Sequence, residues 1–194
     1  MKKIAVIMAL ILFLAPNIIK ADENLTVKWS LGDFKFGMIR YQGQPGDEKP
    51  SYEGSFALGT IGVEFKKPNI GIEINPARWR FGHNWFISET EGWNFFNLNV
   101  FWNVVNYKMF YFGPYNRINY MYLADNGLDW SKISNTLGIR LGLVSYDPSF
   151  HYNLRYFGIE CGYKVNEGRN AFYLGLDMDL LVLGGLILIL FGGA

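Results

Sequence analysis

Over residues 172–182 the chain changes character at every step. Phe172, Leu174, Leu176, Met178, Leu180 and Val182 are apolar, and Tyr173, Gly175, Asp177, Asp179 and Leu181 stand between them. Strand side chains point to opposite faces in turn, so this stretch reads as a strand with one apolar and one largely polar face. Wound as a helix, it would scatter its two aspartates over the apolar surface. The same period recurs along the chain. Ile61, Val63 and Phe65 oppose Thr60, Gly62 and Glu64; Ile70, Ile72 and Ile74 oppose Gly71, Glu73 and Asn75. Phe96, Leu98, Val100, Trp102 and Val104 oppose Asn97, Asn99, Phe101 and Asn103. Further on, Leu137, Ile139, Leu141 and Leu143 oppose Thr136, Gly138, Arg140 and Gly142, and Phe157, Ile159, Cys161, Tyr163 and Val165 oppose Tyr156, Gly158, Glu160, Gly162 and Lys164. Residues 25–41 form a strand region whose apolar parity switches at Gly32-Asp33, which predicts a bulge. Residues 108–122 form another, with aromatics on both parities.

Turn-forming residues separate these segments, as in Lys67-Pro68-Asn69, Asp147-Pro148 and 166–170. The pattern predicts eight strands, no helix after the N-terminal segment and no internal domain boundary. Connections this short suit an antiparallel up-and-down meander, and eight strands close most naturally into a β-barrel that leaves no exposed edge. The predicted fold class is all-β, an eight-stranded antiparallel up-and-down barrel.

The first residues read as an export signal. Lys2 and Lys3 precede an apolar run over residues 4–14, followed by Ala15, Pro16 and a short polar exit to Ala21. The apolar run is shorter than the ~20 residues of a spanning helix. Residues 22–194 then form a single domain. The whole chain has 18 Lys and Arg against 17 Asp and Glu, and without Lys2, Lys3 and Lys20 the balance turns slightly acidic. Such a balance gives no reason to expect nucleic acid as a partner. Cys161 is the one cysteine, so no internal disulfide forms despite the signal.

Alternation alone does not say which face turns outward. A soluble lipocalin-like barrel in the periplasm, holding an apolar ligand, would turn its apolar face inward. Three features favour the reverse. The polar faces carry many glycines and charges of both signs, which suits a crowded lumen better than a solvated surface. The alternating segments are ~10 residues or more, the length of a tilted membrane-spanning strand. The connections after the first four strands run long, short, long, short, and Tyr and Trp cluster near strand ends, as in interfacial girdles.

Read this way, residues 22–194 resemble the small eight-stranded outer-membrane barrels of double-membrane bacteria. The resemblance implies termini on the periplasmic side, loops 42–51, 77–92 and 124–131 outside, membrane lipid and lipopolysaccharide as neighbours, a monomer, and insertion by the barrel-assembly machinery. Such chains usually finish on an aromatic residue. Here Phe191 is followed by Gly192-Gly193-Ala194, and residues 183–191 are apolar on both parities except at Gly184 and Gly185. That tail, 184–194, reads either as the strand's end against an apolar floor or as a segment added after the glycine pair.

Lys35, Glu64, Glu73, Arg117, Arg140, Glu160, Lys164, Asp177 and Asp179 are expected in the lumen as a structural charge network; a narrow conduit for small molecules is the alternative. Arg78, Trp79, Arg80, His83 and Trp85 fall in the predicted loop 77–92, where cations among aromatics suit either interfacial anchoring or contact with anionic headgroups. A membrane-embedded lipid hydrolase would need a serine and a histidine with an orienting acid. The barrel-type lipid A deacylases carry His-x-Ser, but here Asn153 follows His151 at the serine's position. His83 has Ser88 and Glu89 nearby. No glycine-rich phosphate loop and no metal-ligand spacing is present, so neither a cofactor nor a metal is expected.

Overall fold

A computed structural model describes residues 24–42, 51–83, 92–124, 127–129, 134–166 and 169–191. The segment read as an export signal and Trp85 lie outside the described residues. Twelve strands form one sheet: β1 (Leu25–Ser30), β2 (Asp33–Gln42), β3 (Ser51–Leu58), β4 (Thr60–Phe65), β5 (Ile70–His83), β6 (Gly92–Trp102), β7 (Val105–Tyr107), β8 (Phe110–Ala124), β9 (Gly127–Asp129), β10 (Ser134–Asp147), β11 (Tyr152–Asn166) and β12 (Arg169–Asp179). They merge into eight staves, because β1 continues into β2, β3 into β4, β6 into β7 and β9 into β10. Antiparallel pairing runs β2, β3, β5, β6, β8, β10, β11, β12 and returns to β2, closing the expected barrel.

The outer face is apolar. Phe36, Ile72, Ile74, Leu137, Ile139, Phe172, Leu174 and Leu176 are all exposed large hydrophobics. Among the described residues, charged side chains on this face sit only at its edges, with Arg40 at the far rim and Lys66, Lys67, Lys108 and Asp147 at the near rim. A soluble barrel with an apolar interior is therefore not what forms. In β8, whose facing the sequence leaves open, Tyr111, Tyr115, Arg117 and Asn119 turn inward.

The inward glycines make room for rings. A Cβ on Gly142 or Gly158 would lie 2.7 Å from the Tyr111 hydroxyl, and one on Gly71 would lie 2.3 Å from the Phe101 ring. Gly37 and Gly175 stand likewise against Tyr173, at 2.5 and 2.1 Å. The lumen is filled by side chains that need their neighbours to have none.

One irregularity crosses most of the wall at a single level. Gly59, with φ +75°, donates its N–H to the Leu31 carbonyl at 2.7 Å, and Gly32 beside it has φ +141°. Gly59 falls between the pairs Leu58↔Ala77 and Ile61↔Ile74, opposite Pro76. Pro76 in turn falls opposite Phe96, which has φ 54°, a conformation rare for a non-glycine residue. On the other side of Gly32, β12 ends, and beyond it a register shift at Leu143/Val144 bulges β11 at Tyr156. Along this line the inward parity flips. Below it Thr60, Glu64 and Asn75 face in; above it Ser55, Ala57 and Arg78 do. The sequence's Gly32-Asp33 switch is one point on this line.

The last stave changes type on the same line. The alternation read to Val182 stops at Asp179, and Leu180–Phe191 is a 12-residue helix, α1. This corrects the expectation of strand or of no helix. The Asp179 carboxylate accepts the Leu181 N–H at 2.8 Å as an N-cap, and the Gly32 carbonyl accepts the Leu180 N–H at 3.1 Å. Both donors are thereby satisfied where the helix leaves the wall. Replacing Asp179 by alanine should cost about 1 kcal/mol, the usual worth of an N-cap. Urea unfolding followed by tryptophan fluorescence measures it.

α1 has no buried residue, and Leu188 to Phe191 are 71–78% exposed. It is apolar all round, as suits a helix surrounded by hydrocarbon. It does not cross a membrane by itself. It has no need to, because it starts partway down the wall. The six residues of β1 still lie between its start and the near rim, about 20 Å along a strand and about 15 Å in depth once tilted. Twelve helical residues cover about 18 Å. Below the line the ring therefore has seven strands, and β1 lies directly beside β11.

Candidate functional site

Inside the barrel the described residues include seven cations (Lys28, Lys35, Arg78, Arg117, Arg140, Arg155, Lys164) and seven anions (Asp33, Glu53, Glu64, Glu73, Glu160, Asp177, Asp179). Half of them belong to one chain linked by ion pairs. Arg117 bonds Glu160, and Lys35 reaches Glu160 at 2.6 Å and Asp177 at 3.0 Å. Arg155 reaches Asp177 at 2.7 Å and Glu73 at 3.2 Å, and Arg140 stands 3.8 Å from Glu73 while donating to Asn103 at 3.2 Å. Buried charges of this kind are tolerated only when paired and hydrogen-bonded, so each member depends on its neighbours.

Of the nine luminal charges read from the sequence, Lys35, Glu73, Arg117, Arg140, Glu160 and Asp177 lie in that chain. Glu64 pairs separately with Lys28, and Lys164 pairs with Glu53 at 2.9 Å. Asp179 accepts from the Tyr152 hydroxyl at 3.0 Å and caps α1, a different part from the one expected. Sequence reading misses Lys28, Asp33, Glu53, Arg78 and Arg155. Asp33, Arg78 and Arg155 lie close to the line where inward parity changes, and Arg155 faces in only because Tyr156 bulges. Arg155 carries the parity of Phe157, which points out.

Arg78, Trp79, Arg80 and His83 are on β5, not in a loop, because the strand runs through Pro76 to His83. Arg78 is buried in the lumen, bonded to Asp33 at 2.7 Å and to Ser55 at 3.0 Å, and is no surface-contact residue. Trp79 takes the opposite parity, and Arg80 and His83 pair in register with Ser55 and Tyr52. His151 is exposed in the near-rim turn, its Nδ1 2.8 Å from the Tyr146 hydroxyl. No cluster of metal-ligating side chains occurs among the described residues.

Two luminal cavities of about 20 Å³ flank the charge chain. Lys28, Asp33, Glu64 and Asp179 line one; Lys35, Arg78, Arg117 and Lys164 line the other. They share no lining residue, and each is of the size that holds a water or so.

Below the line, side chains stitch the wall where a ladder would otherwise run. The β11–β12 pairing stops at Gly158↔Asp177, and a single bridge, Trp29↔Tyr152, joins β1 to β11. The Trp29 backbone N–H donates to the His151 carbonyl at 2.9 Å, and its indole N–H donates to the Phe150 carbonyl at 2.6 Å. The Trp29 and Tyr152 rings meet edge to face at 4.8 Å. Outside this seam, between the wall and the root of α1, lies an apolar groove of about 500 Å³.

A closed barrel with an apolar belt outside and paired charges within has the architecture of a membrane-spanning β-barrel with a filled lumen. No family model and no curated protein matches the chain. Among solved structures it is similar to the crystal structure of Neisserial surface protein A, at 10% identity and a TM-score of 0.38, over 81% of this chain and 100% of that one.

Proposed function

We propose that the protein resides in the outer membrane of a double-membrane bacterium, delivered by the signal segment 1–21, and acts through its surface and its wall rather than through its lumen. The observation that carries this reading is the inverted polarity of the barrel. A continuous apolar belt of this extent far exceeds the few hundred Å² that soluble monomers expose. The ion-paired lumen, with its two separate small cavities, supports a structural interior over passage of small molecules.

The far end of β5 is the proposed surface for lipopolysaccharide. Trp79, on the outward parity, and His83, in register with the exposed Tyr52, lie towards the far rim, where anionic headgroups would lie, while Arg80 pairs in register with the buried Ser55 on the inward parity. Arg78, facing the lumen, takes no part.

The test is fractionation with gel mobility. The protein should stay in the membrane pellet after carbonate or urea washing and should migrate faster unboiled than boiled. Release into the soluble fraction overturns the reading.

A further inference from the structure

We infer that the groove outside the β1–β11 seam holds one acyl chain of a membrane phospholipid, which seals the half of the wall that has lost its last strand. The inference rests on the membrane reading above. Trp29, Leu31, Phe150, Tyr152, Leu154 and Leu181 line the groove, and it runs from the root of α1 to the near-rim turn. It lies on the outer side of the seam where β1 meets β11, beside the root of α1. Both sides face hydrocarbon, being continuous with the exposed apolar belt through Leu31 and Leu181. Over Leu31, Leu154 and Leu181 the lining offers water no polar side chain, so hydrocarbon rather than water suits that stretch. Its volume lies within the ~300–1,000 Å³ typical of ligand sites.

The occupant's chemistry follows from the two ends. At the α1 end the groove is apolar, so a hydrocarbon tail belongs there. At the near-rim end stand Ser145 and Asp147, where a headgroup would emerge. Among the described residues of that rim, Lys66, Lys67 and Lys108 are exposed against the one exposed carboxylate of Asp147, a balance that suits lipid phosphates. The site also has something to protect. Trp29 lines both the groove and the luminal cavity that holds Lys28, Arg155 and Asp179. One indole thus stands between hydrocarbon and buried charge, and an ordered chain packed on it keeps the seam shut.

The experiment is native mass spectrometry of the full chain extracted from membranes in mild detergent. Wild type should carry one phospholipid per barrel. Leu154→Trp, which fills the groove, should lower that occupancy at least tenfold, whereas Leu174→Trp, on the same belt outside the groove, should not. A second measurement uses wild type and Trp29→Phe in vesicles of phospholipid with brominated acyl chains. The Trp29 share of the fluorescence should be quenched and should stay quenched after dilution into unbrominated detergent. Wild type without bound lipid, Leu154→Trp with undiminished lipid, or quenching that vanishes on dilution overturns the inference. Heat-shifted gel mobility of the same samples keeps the two ideas apart. A heat-modifiable barrel without lipid sinks the groove alone, and a chain released by carbonate sinks both.

Discussion

Glu160→Ala is expected to cost about 3–5 kcal/mol of barrel stability, the usual penalty for removing one partner of a buried ion pair. Glu160 is 2% exposed and holds two cations, Arg117 and Lys35. Lys35 would retain Asp177, but Glu160 is the carboxylate that Arg117 pairs with among the described residues. The loss is therefore dominated by a guanidinium left in a closed lumen without its paired carboxylate, with the Tyr115 ring 5.2 Å away. Urea titration of the refolded barrel in detergent, read by the heat-shifted gel band, measures it. A change below about 1 kcal/mol, the size seen for exposed pairs, would show that the lumen solvates its charges freely.

Gly32→Ala should be comparably severe for a different reason. A Cβ there would lie 1.9 Å from the Ala57 carbonyl oxygen, and the backbone sits at φ +141°. The obstacle is a neighbouring main chain that cannot rotate away. Strain of about 1–3 kcal/mol and overpacking of about 1–3 kcal/mol act together. Gly59→Ala is the comparison. It shares a positive φ of +75° but has nothing within 4 Å of the new methyl, so backbone strain of about 1–2 kcal/mol is all it should show. If the two variants unfold at the same urea concentration, the close approach at Gly32 does not control the wall.

Most of this barrel could be read from period-two alternation, because one-sided burial fixes side-chain facing strongly. Asp177, Glu160 and Lys35 announce their lumen positions by standing among outward hydrophobics of the opposite parity. What the sequence hides is where that parity resets. Pro76 reads as the end of a strand, since it has no N–H to donate, yet it lies opposite Gly59 and the strand continues past it for seven residues. Arg78 therefore looks like a loop residue and is a lumen residue. The bulge at Tyr156 conceals Arg155 in the same way. α1 is hidden by a different ambiguity. Leu-rich sequence serves strand and helix alike over a short apolar run. The capping role of Asp179 resembles an ordinary inward position until the Leu181 N–H is seen to point at it.

The half-strand, half-helix stave has a consequence for the shape of the molecule. Neighbouring strands lie about 4.8 Å apart, so trading eight for seven shortens the perimeter of the lower collar by about one eighth. The protein is thus a tapered plug, broader towards the far rim, with α1 standing off the narrow end like an outrigger. Such a body claims unequal area in the two leaflets around it. Its surroundings should relieve that mismatch either by local curvature or by gathering, on the narrow side, lipids whose tails splay wider than their headgroups.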